Sequence, residues 1–581
     1  MTSRLFRLTT STLLFLLFTA RAEALQVRSI EFAGLDELQI LNVRSELSLA
    51  EAQLDPASVI SENRLDYLMR LAPREVRRGL EAFGYYDVEV EAKIHRDGEN
   101  IDVAFSVILG KPVEVRKLAL NISGEAEQDP VVVHQIDAFQ PKPGQPFHHG
   151  EYENSKININ RVLGDRGYFD ANLNTHKVEV TRAEHAADIA LAWTSGSRYR
   201  FGDVRFEGHQ FENSLLEKLL PWEPGQAFDQ GELFSLQKTL TDLDYFASIN
   251  VQPLPDEAKE GVVPIQVSLA PAKRNIYSLG LRYGTDSGAG FASSLERRWV
   301  NKRGHKLLAE LNVAQEKSDF TTQYRIPAFS KFQGWYGIRV SLREEKILDV
   351  TTQYTELSFS RTGRWRDWNL FGALEYKRER FEDELLGERG YSTIVAPVIS
   401  VERKKFDDIN TPSKGHRFLI EARVGSKAIG SDVDFVQLRG EARWIRAIST
   451  SNRILWRGEL GTTITDEFDD LPPSQRFYAG GDHSVRGYGY RELGETAGVL
   501  IGGKNLATAS VEFEHMFTPT WGGAVFVDAG DAFDEQFKAN VGVGFGVRWR
   551  SPVGPIRIDL ARGLNEPDQN IRLHVSLGPD L

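Results

Sequence analysis

The sequence predicts two classes of structure in series: three small α+β repeats, then an all-β, 16-stranded antiparallel barrel that faces lipid. Three observations carry this. The first part repeats itself with a period of about 80 residues. Helical periodicity stops near residue 275, and from there apolar and polar side chains alternate with period two to the end of the chain.

At the N-terminus, Arg4 and Arg7 precede an apolar run at 13–18 and then Ala20, Arg21, Ala22, Glu23 and Ala24. A basic end, a short apolar core and small residues at alternate positions are the parts of a secretory signal, expected to cover 1–24 with cleavage after Ala22 or Ala24. No later stretch has 18 consecutive apolar residues, so no spanning helix is expected, whereas a closed barrel can cross a bilayer because it pairs its own backbone. The 581 residues include no cysteine, which excludes disulfides, thiolate metal sites and thiol catalysis. A formal charge of -12 and a pI near 5.6 exclude a general nucleic-acid binder, which needs basic patches against phosphates.

The repeats are read at 25–112, 113–197 and 198–273. Pro143, Gly144, Gln145, Phe147, Gly150 and Glu151 recur 81 residues later as Pro224, Gly225, Gln226, Phe228, Gly231 and Glu232. A second signature occurs three times: Gly84, Tyr85, Tyr86, Asp87; Gly167, Tyr168, Phe169, Asp170; and Asp244, Tyr245, Phe246. Each follows a helical pattern and opens an alternating strand, and each copy begins with a strand that runs into a glycine (Gly34, Gly124, Gly208). A strand, helices and two further strands make a sheet covered on one face. The aromatic pairs read as core packing under that sheet, and the sheet edges remain open to strand addition by an extended partner.

The barrel is read at 274–581. In 541–550, Val541, Val543, Phe545, Val547 and Trp549 alternate with Gly542, Gly544, Gly546, Arg548 and Arg550. Apolar side chains outside with charged or absent ones inside fit a lipid-facing barrel. Sixteen such runs extend from 275–284 to 570–578, an even number, with short turns after even strands and long loops at 379–390 and 465–503 after odd ones. Eight of the ten tryptophans, among them Trp299, Trp335, Trp456, Trp521 and Trp549, follow residue 275 and are expected in interfacial belts.

One stretch of the barrel does not alternate. Within 477–490, FYAGGDHSVRGYGY, a single arginine stands among glycines. Strand parity puts Glu512, Glu514 and Asp528 on the lumen face, because Val511, Phe513, Val525 and Val527 face out. A charge inside a barrel needs partners, so Arg486 is expected to pair with Asp528 or Glu512, with Gly542, Gly544 and Gly546 leaving room for the loop. The first and last strands must close on each other, and Gly280, Gly578 and Pro579 make that lateral seam the weakest. Unpaired backbone there would template a client strand.

FYAGGDHSVRGY, VFVDAGDAF at 525–533 and GVRWRSPVGPIRID at 546–559 resemble the barrel signatures of the POTRA-barrel superfamily of outer-membrane insertases and translocators, over nearly the whole mature chain. The resemblance implies that the repeats are POTRA domains in the periplasm, that the loop carrying Val485, Arg486, Gly487 and Tyr488 folds back into the barrel, and that the barrel sits in outer-membrane lipid. Three POTRA domains and the ending Leu577, Gly578, Pro579, Asp580, Leu581 resemble most the TamA-like branch. That branch implies a non-enzymatic assembly factor without cofactor, with autotransporters among its clients and a TamB-like periplasm-spanning partner. The alternative is a dedicated secretion pore that passes an exoprotein through its lumen.

Hydrolytic and metal readings find little support. GVLIGGKN at 498–505 approaches a phosphate loop, but Asn505 replaces the hydroxyl residue and a strand follows where a helix should. His148, His149, Glu151 and Glu153 could be drawn as a metal set, yet the next repeat has Asp229, Gln230, Glu232 and Phe234 there, so they read as surface polar residues. No GxSxG elbow is present.

Overall fold

A computed structural model describes residues 25–577 apart from 55–59, 330–332, 348–349, 384–387, 409–410, 495–499, 553 and 566–569. The expected signal at 1–24 and the residues 578–581, including Gly578 and Pro579, lie outside the described residues. No described helix is long and apolar enough to cross a membrane.

The first module holds β1 (Gln26–Ala33), α1 (Glu37–Glu46), α2 (Ser48–Leu54), α3 (Glu62–Glu81), β2 (Glu89–Asp97) and β3 (Asn100–Ile108). The second holds β4 (Glu114–Ser123), α4 (Pro130–Asp137), α5 (His149–Asp165), β5 (Asn172–Thr181) and β6 (Ala186–Thr194). The third holds β7 (Arg200–Glu207), α6 (Asn213–Glu217), α7 (Gln230–Asp242), β8 (Phe246–Pro253) and β9 (Val262–Pro271). All three sheets share one order: the last strand lies in the middle, between the first and the second. In the first two modules the opening strand pairs parallel to the central one and the middle strand antiparallel. Helix starts are marked locally: Asp36 and Gln39 form a capping box on α1, and Asp129 caps α4 ahead of Pro130. The helices close a core such as Val43, Leu65, Leu68, Val76 and Leu80 over Ile101, Val103 and Phe105.

The aromatic signatures depart from the simple core reading. Tyr168 is buried in its own module, but the residue after it, Phe169, packs edge-on against Phe228 (4.9 Å) and Tyr199 (5.4 Å) of the next. Tyr86 of the first module likewise joins the second module's core and hydrogen-bonds His149 Nε2 at 3.0 Å. His148 caps α5, its Nδ1 accepting from Glu151 N–H, so the two half-buried histidines serve a cap and a joint, while Glu151 and Glu153 are exposed as expected. The signature is therefore a joint between successive modules. Local pattern shows that an aromatic is buried but not against which neighbour.

Sixteen strands form one antiparallel sheet in chain order. They are β10 (Asn275–Gly284), β11 (Gly288–Arg297), β12 (Lys306–Ala314), β13 (Lys317–Pro327), β14 (Trp335–Ile347), β15 (Val350–Trp365), β16 (Trp368–Asp383) and β17 (Glu388–Phe406), then β18 (Lys414–Gly425), β19 (Phe435–Ala447), β20 (Asn452–Ile464), β21 (Asn505–Met516), β22 (Trp521–Phe533), β23 (Asn540–Ser551), β24 (Gly554–Gly563) and β25 (Ile571–Leu577). Side chains alternate as expected: Val525, Val527, Phe545 and Val547 are exposed outward while Phe526, Asp528 and Arg548 are buried inward.

Two expectations for this barrel are corrected. The long loop at 379–390 is mostly strand: β16 and β17 stay paired up to Asp383 opposite Glu388. Arg378, Glu379, Arg380 and Glu382 broke the apolar alternation there, but a ladder needs only backbone groups, and the Phe381 ring lies over Gly390. The asymmetry between the rims thus rests largely on one loop, 465–504. The tryptophans form one belt, not two. All eight of the barrel lie near the connections that follow even-numbered barrel strands, with Trp521 stacked on Trp549 at 5.1 Å and Trp444 against Trp456 at 5.9 Å.

Candidate functional site

The loop between β20 and β21 has a small core of its own, in which Phe477, Ala479, Val485 and Tyr488 pack with Leu506 of β21 and Ala532 of β22. Paired backbone hydrogen bonds join Phe477 to Gly503 and Ala479 to Leu493. Gly480 takes φ +99°, and a Cβ there would lie 2.4 Å from Gly489 O, so the turn tolerates only glycine.

This core carries Arg486 to the lumen wall, where it is 4 % exposed. Its Nε and Nη2 donate to Asp528 Oδ2 and Oδ1 at 2.7 and 3.0 Å, a bidentate pair, and its backbone N–H donates to Oδ2 at 3.0 Å. Nη1 donates to Glu512 Oε2 at 2.7 Å and to Asp559 Oδ2 at 3.0 Å. The guanidinium carbon stands 3.3 Å from the centre of the Phe526 ring. Sequence parity singled out Asp528 and Glu512 as alternatives; the structure brings both to the arginine. It adds Asp559, which alternates with outward Ile558 and Leu560 and was legible by the same rule.

The charges continue beyond the loop. Arg548 donates to Glu512 Oε1 at 2.6 Å, Glu514 Oε1 at 2.9 Å and Asp559 Oδ1 at 2.5 Å, and Arg453 to Glu514 Oε2 at 2.5 Å. Buried ions are tolerable only when each is paired and hydrogen-bonded, and this network satisfies its members across five strands, β20 to β24. Its geometry suits it to fix the loop against β21–β24, each carboxylate being engaged by an arginine.

Gly542 makes the fit possible, because a Cβ there would lie 1.8 Å from Arg486 O. Gly546 accommodates Asp559 and Gly544 the Phe526 ring in the same way. Gly542→Val is expected to expel the loop without removing any charge. Limited trypsin digestion of the barrel in vesicles should then cut within 477–490, where the native loop resists.

Gly487 (φ +96°) passes so close to β24 that a Cβ would lie 2.6 Å from Gly563 N, and the Tyr488 ring covers Gly563. At 500–505 the resemblance to a phosphate loop dissolves: Lys504 N–H donates to Asp534 Oδ1 at 2.8 Å, and Asn505 opens β21.

At the seam, ladders join every consecutive pair from β10 to β25, but among the described residues none joins β25 back to β10. Leu279 and Leu281 are more than four-fifths exposed, and a Cβ on Gly280 would meet nothing within 4 Å. The two edges meet at the end of β10, where Val575 N–H donates to Thr285 Oγ1 at 3.3 Å.

Comparison with known proteins follows this geometry. Residues 300–580 match the Omp85 superfamily domain. This is an Omp85-superfamily barrel. Residues 29–108 match the model described as POTRA domain TamA domain 1, and 199–271 a POTRA model described as surface antigen variable number repeat. The Omp85 barrel and its POTRA domains are 22 % identical over 571 residues to the outer membrane protein assembly factor BamA of Nitratidesulfovibrio vulgaris, covering 93 % of this chain and 71 % of that one. The crystal structure of BamA from Haemophilus ducreyi lacking POTRA domains 1–3 superposes with a TM-score of 0.69 at 16 % identity, covering 80 % of this chain and 99 % of that one. The chain is an outer-membrane β-barrel protein with POTRA domains in the periplasm.

Proposed function

We propose that this Omp85 protein is an assembly factor that inserts or translocates other outer-membrane proteins, with the seam between β10 and β25 as the route. The observation that carries the reading is the missing ladder. A strand edge without a partner is a template for an incoming strand, which adds by main-chain hydrogen bonds. The similarity to BamA, an outer membrane protein assembly factor, supports the same class. The TamA-type first POTRA domain and the count of three modules favour the TamA-like branch, with autotransporter clients and a TamB-like partner.

The chain's lack of cysteine gives a clean test. Gly284→Cys with Ser576→Cys pairs two inward-facing positions where the edges meet, a Cβ at 284 lying 3.8 Å from the Val575 carbonyl that precedes Ser576. Oxidation is expected to lower client insertion into vesicles about ten-fold, equivalent to roughly 1.4 kcal/mol on the barrier, and reductant to restore it. Full activity of the locked barrel would sink the lateral route and favour passage of an exoprotein through the lumen.

A further inference from the structure

The inward loop touches both edges of the seam. Asp482 lies ahead of Arg486 in the loop, and its carboxylate accepts from Thr285 Oγ1 at 2.9 and 3.1 Å, in the turn 285–287 after β10. Its backbone N–H donates to Asp286 Oδ2 at 2.9 Å, and its Oδ1 lies 2.6 Å from His574 Nδ1 on β25. Gly481, at φ +101°, permits the approach: a Cβ there would lie 2.7 Å from Asp286 Oδ2.

His574 is buried at 5 % exposure, and its other nitrogen, Nε2, accepts from Gly487 N–H at 3.0 Å. That bond fixes the tautomer, because an acceptor Nε2 puts the ring proton on Nδ1, which then donates to Asp482. Asp286, Asp482 and His574 are close enough to hold a cation. With the proton on Nδ1, however, the histidine has no lone pair to offer there, so the trio is a hydrogen-bonded unit. Burial, and then the charge of Asp482, push the Asp286 carboxyl up to about 6.

The geometry points to a polar latch: Thr285, Asp286, Asp482 and His574 tie the end of β10 to β25 through the inward loop, and hold the seam shut where no ladder does. The inference rests on the proposed function in one respect, that the seam is the part a client must open. It gives the loop a second task beside its anchor on β21–β24, since one segment then links the charge network to both barrel edges.

The test is hydrogen exchange on the full-length protein in lipid vesicles, with client insertion measured in parallel. In Asp482→Asn and His574→Ala, amides at 284–288 and 573–576 are expected to exchange about ten-fold faster, as loss of one or two net hydrogen bonds implies, with 510–514 and 525–529 unchanged. Thr285→Val, which keeps shape and charge, decides the matter if the buried variants loosen the whole barrel. Unchanged exchange at the seam in Thr285→Val overturns the latch, whatever insertion does. A rise in wild-type seam exchange on adding EDTA also overturns it, in favour of a bound cation. Faster seam exchange with no change in client insertion keeps the latch and removes the proposed route.

Discussion

Replacing Arg486 by alanine is expected to free the inward loop and lower client insertion about ten-fold or more, while the sixteen-strand ladder still forms; truncating one member of a buried charge pair costs roughly 3–5 kcal/mol. The loss falls unevenly. Glu512 and Asp559 keep Arg548, at 2.6 and 2.5 Å. Asp528, fully buried, loses its bidentate partner and among the described residues keeps Ser510 Oγ at 2.6 Å, Arg457 at 3.9 Å and, while the loop stays seated, the main-chain N–H of residue 486. The damage should therefore centre on β22, with the backbone pairing of β21, β22 and β23 untouched. Heat-modifiable gel mobility reports the barrel and protease access to 477–490 reports the loop. Arg486→Lys should recover little, because an ammonium cannot span both oxygens of Asp528 and reach Glu512 as the planar fork does. Native loop protection and insertion in the alanine variant would show that the network does not hold the loop.

A second large effect is expected at the rim. Tyr245, from the third copy of the aromatic signature, is fully buried. Its hydroxyl donates to Gly304 O in the turn between β11 and β12, its ring packs 4.5 Å from Phe211, and Lys306 Nζ lies 4.9 Å from its centre while donating to Leu243 O at 2.7 Å. Beside it, Arg298 grips Asp244 at 2.7 and 3.1 Å. Tyr245→Ala should cost about 3–5 kcal/mol of local stability, as large-to-small changes of buried aromatics do. Tyr245→Phe should lose only about 1 kcal/mol, the net value of one hydrogen bond. Hydrogen exchange at 301–305 and 211–219 distinguishes the two. Equal protection in both variants would mean that the ring does not fasten the module to the rim.

These two sites differ in how far the sequence revealed them. Parity along β21 and β22 was enough to turn Glu512, Glu514 and Asp528 inward, because one slipped residue would have put charges in lipid. The same rule reaches Asp559 and His574, though their partners come from segments far away in sequence. Tyr245 was visible as an aromatic but not as a fastening, since the residue it meets, Gly304, carries no side chain to announce itself. Extension of β16 and β17 was hidden for the opposite reason. Outside the apolar band a strand has no hydrophobic pattern to keep, so Arg380 and Glu382 look like loop while the backbone stays paired.

The edge of β10, which no ladder joins to β25 among the described residues, has a kinetic consequence on the proposed route. In hydrocarbon each unsatisfied amide or carbonyl costs several kcal/mol, so the resting barrel is the less stable partner in any encounter with a strand that can complete it. If clients enter by the proposed seam, capture is then downhill, and the difficult step becomes letting go. By that route a client departs only when its own terminal strands pair with each other better than with β10 and β25. Turnover, on this view, selects for proteins that can close a sheet on themselves and retains those that cannot.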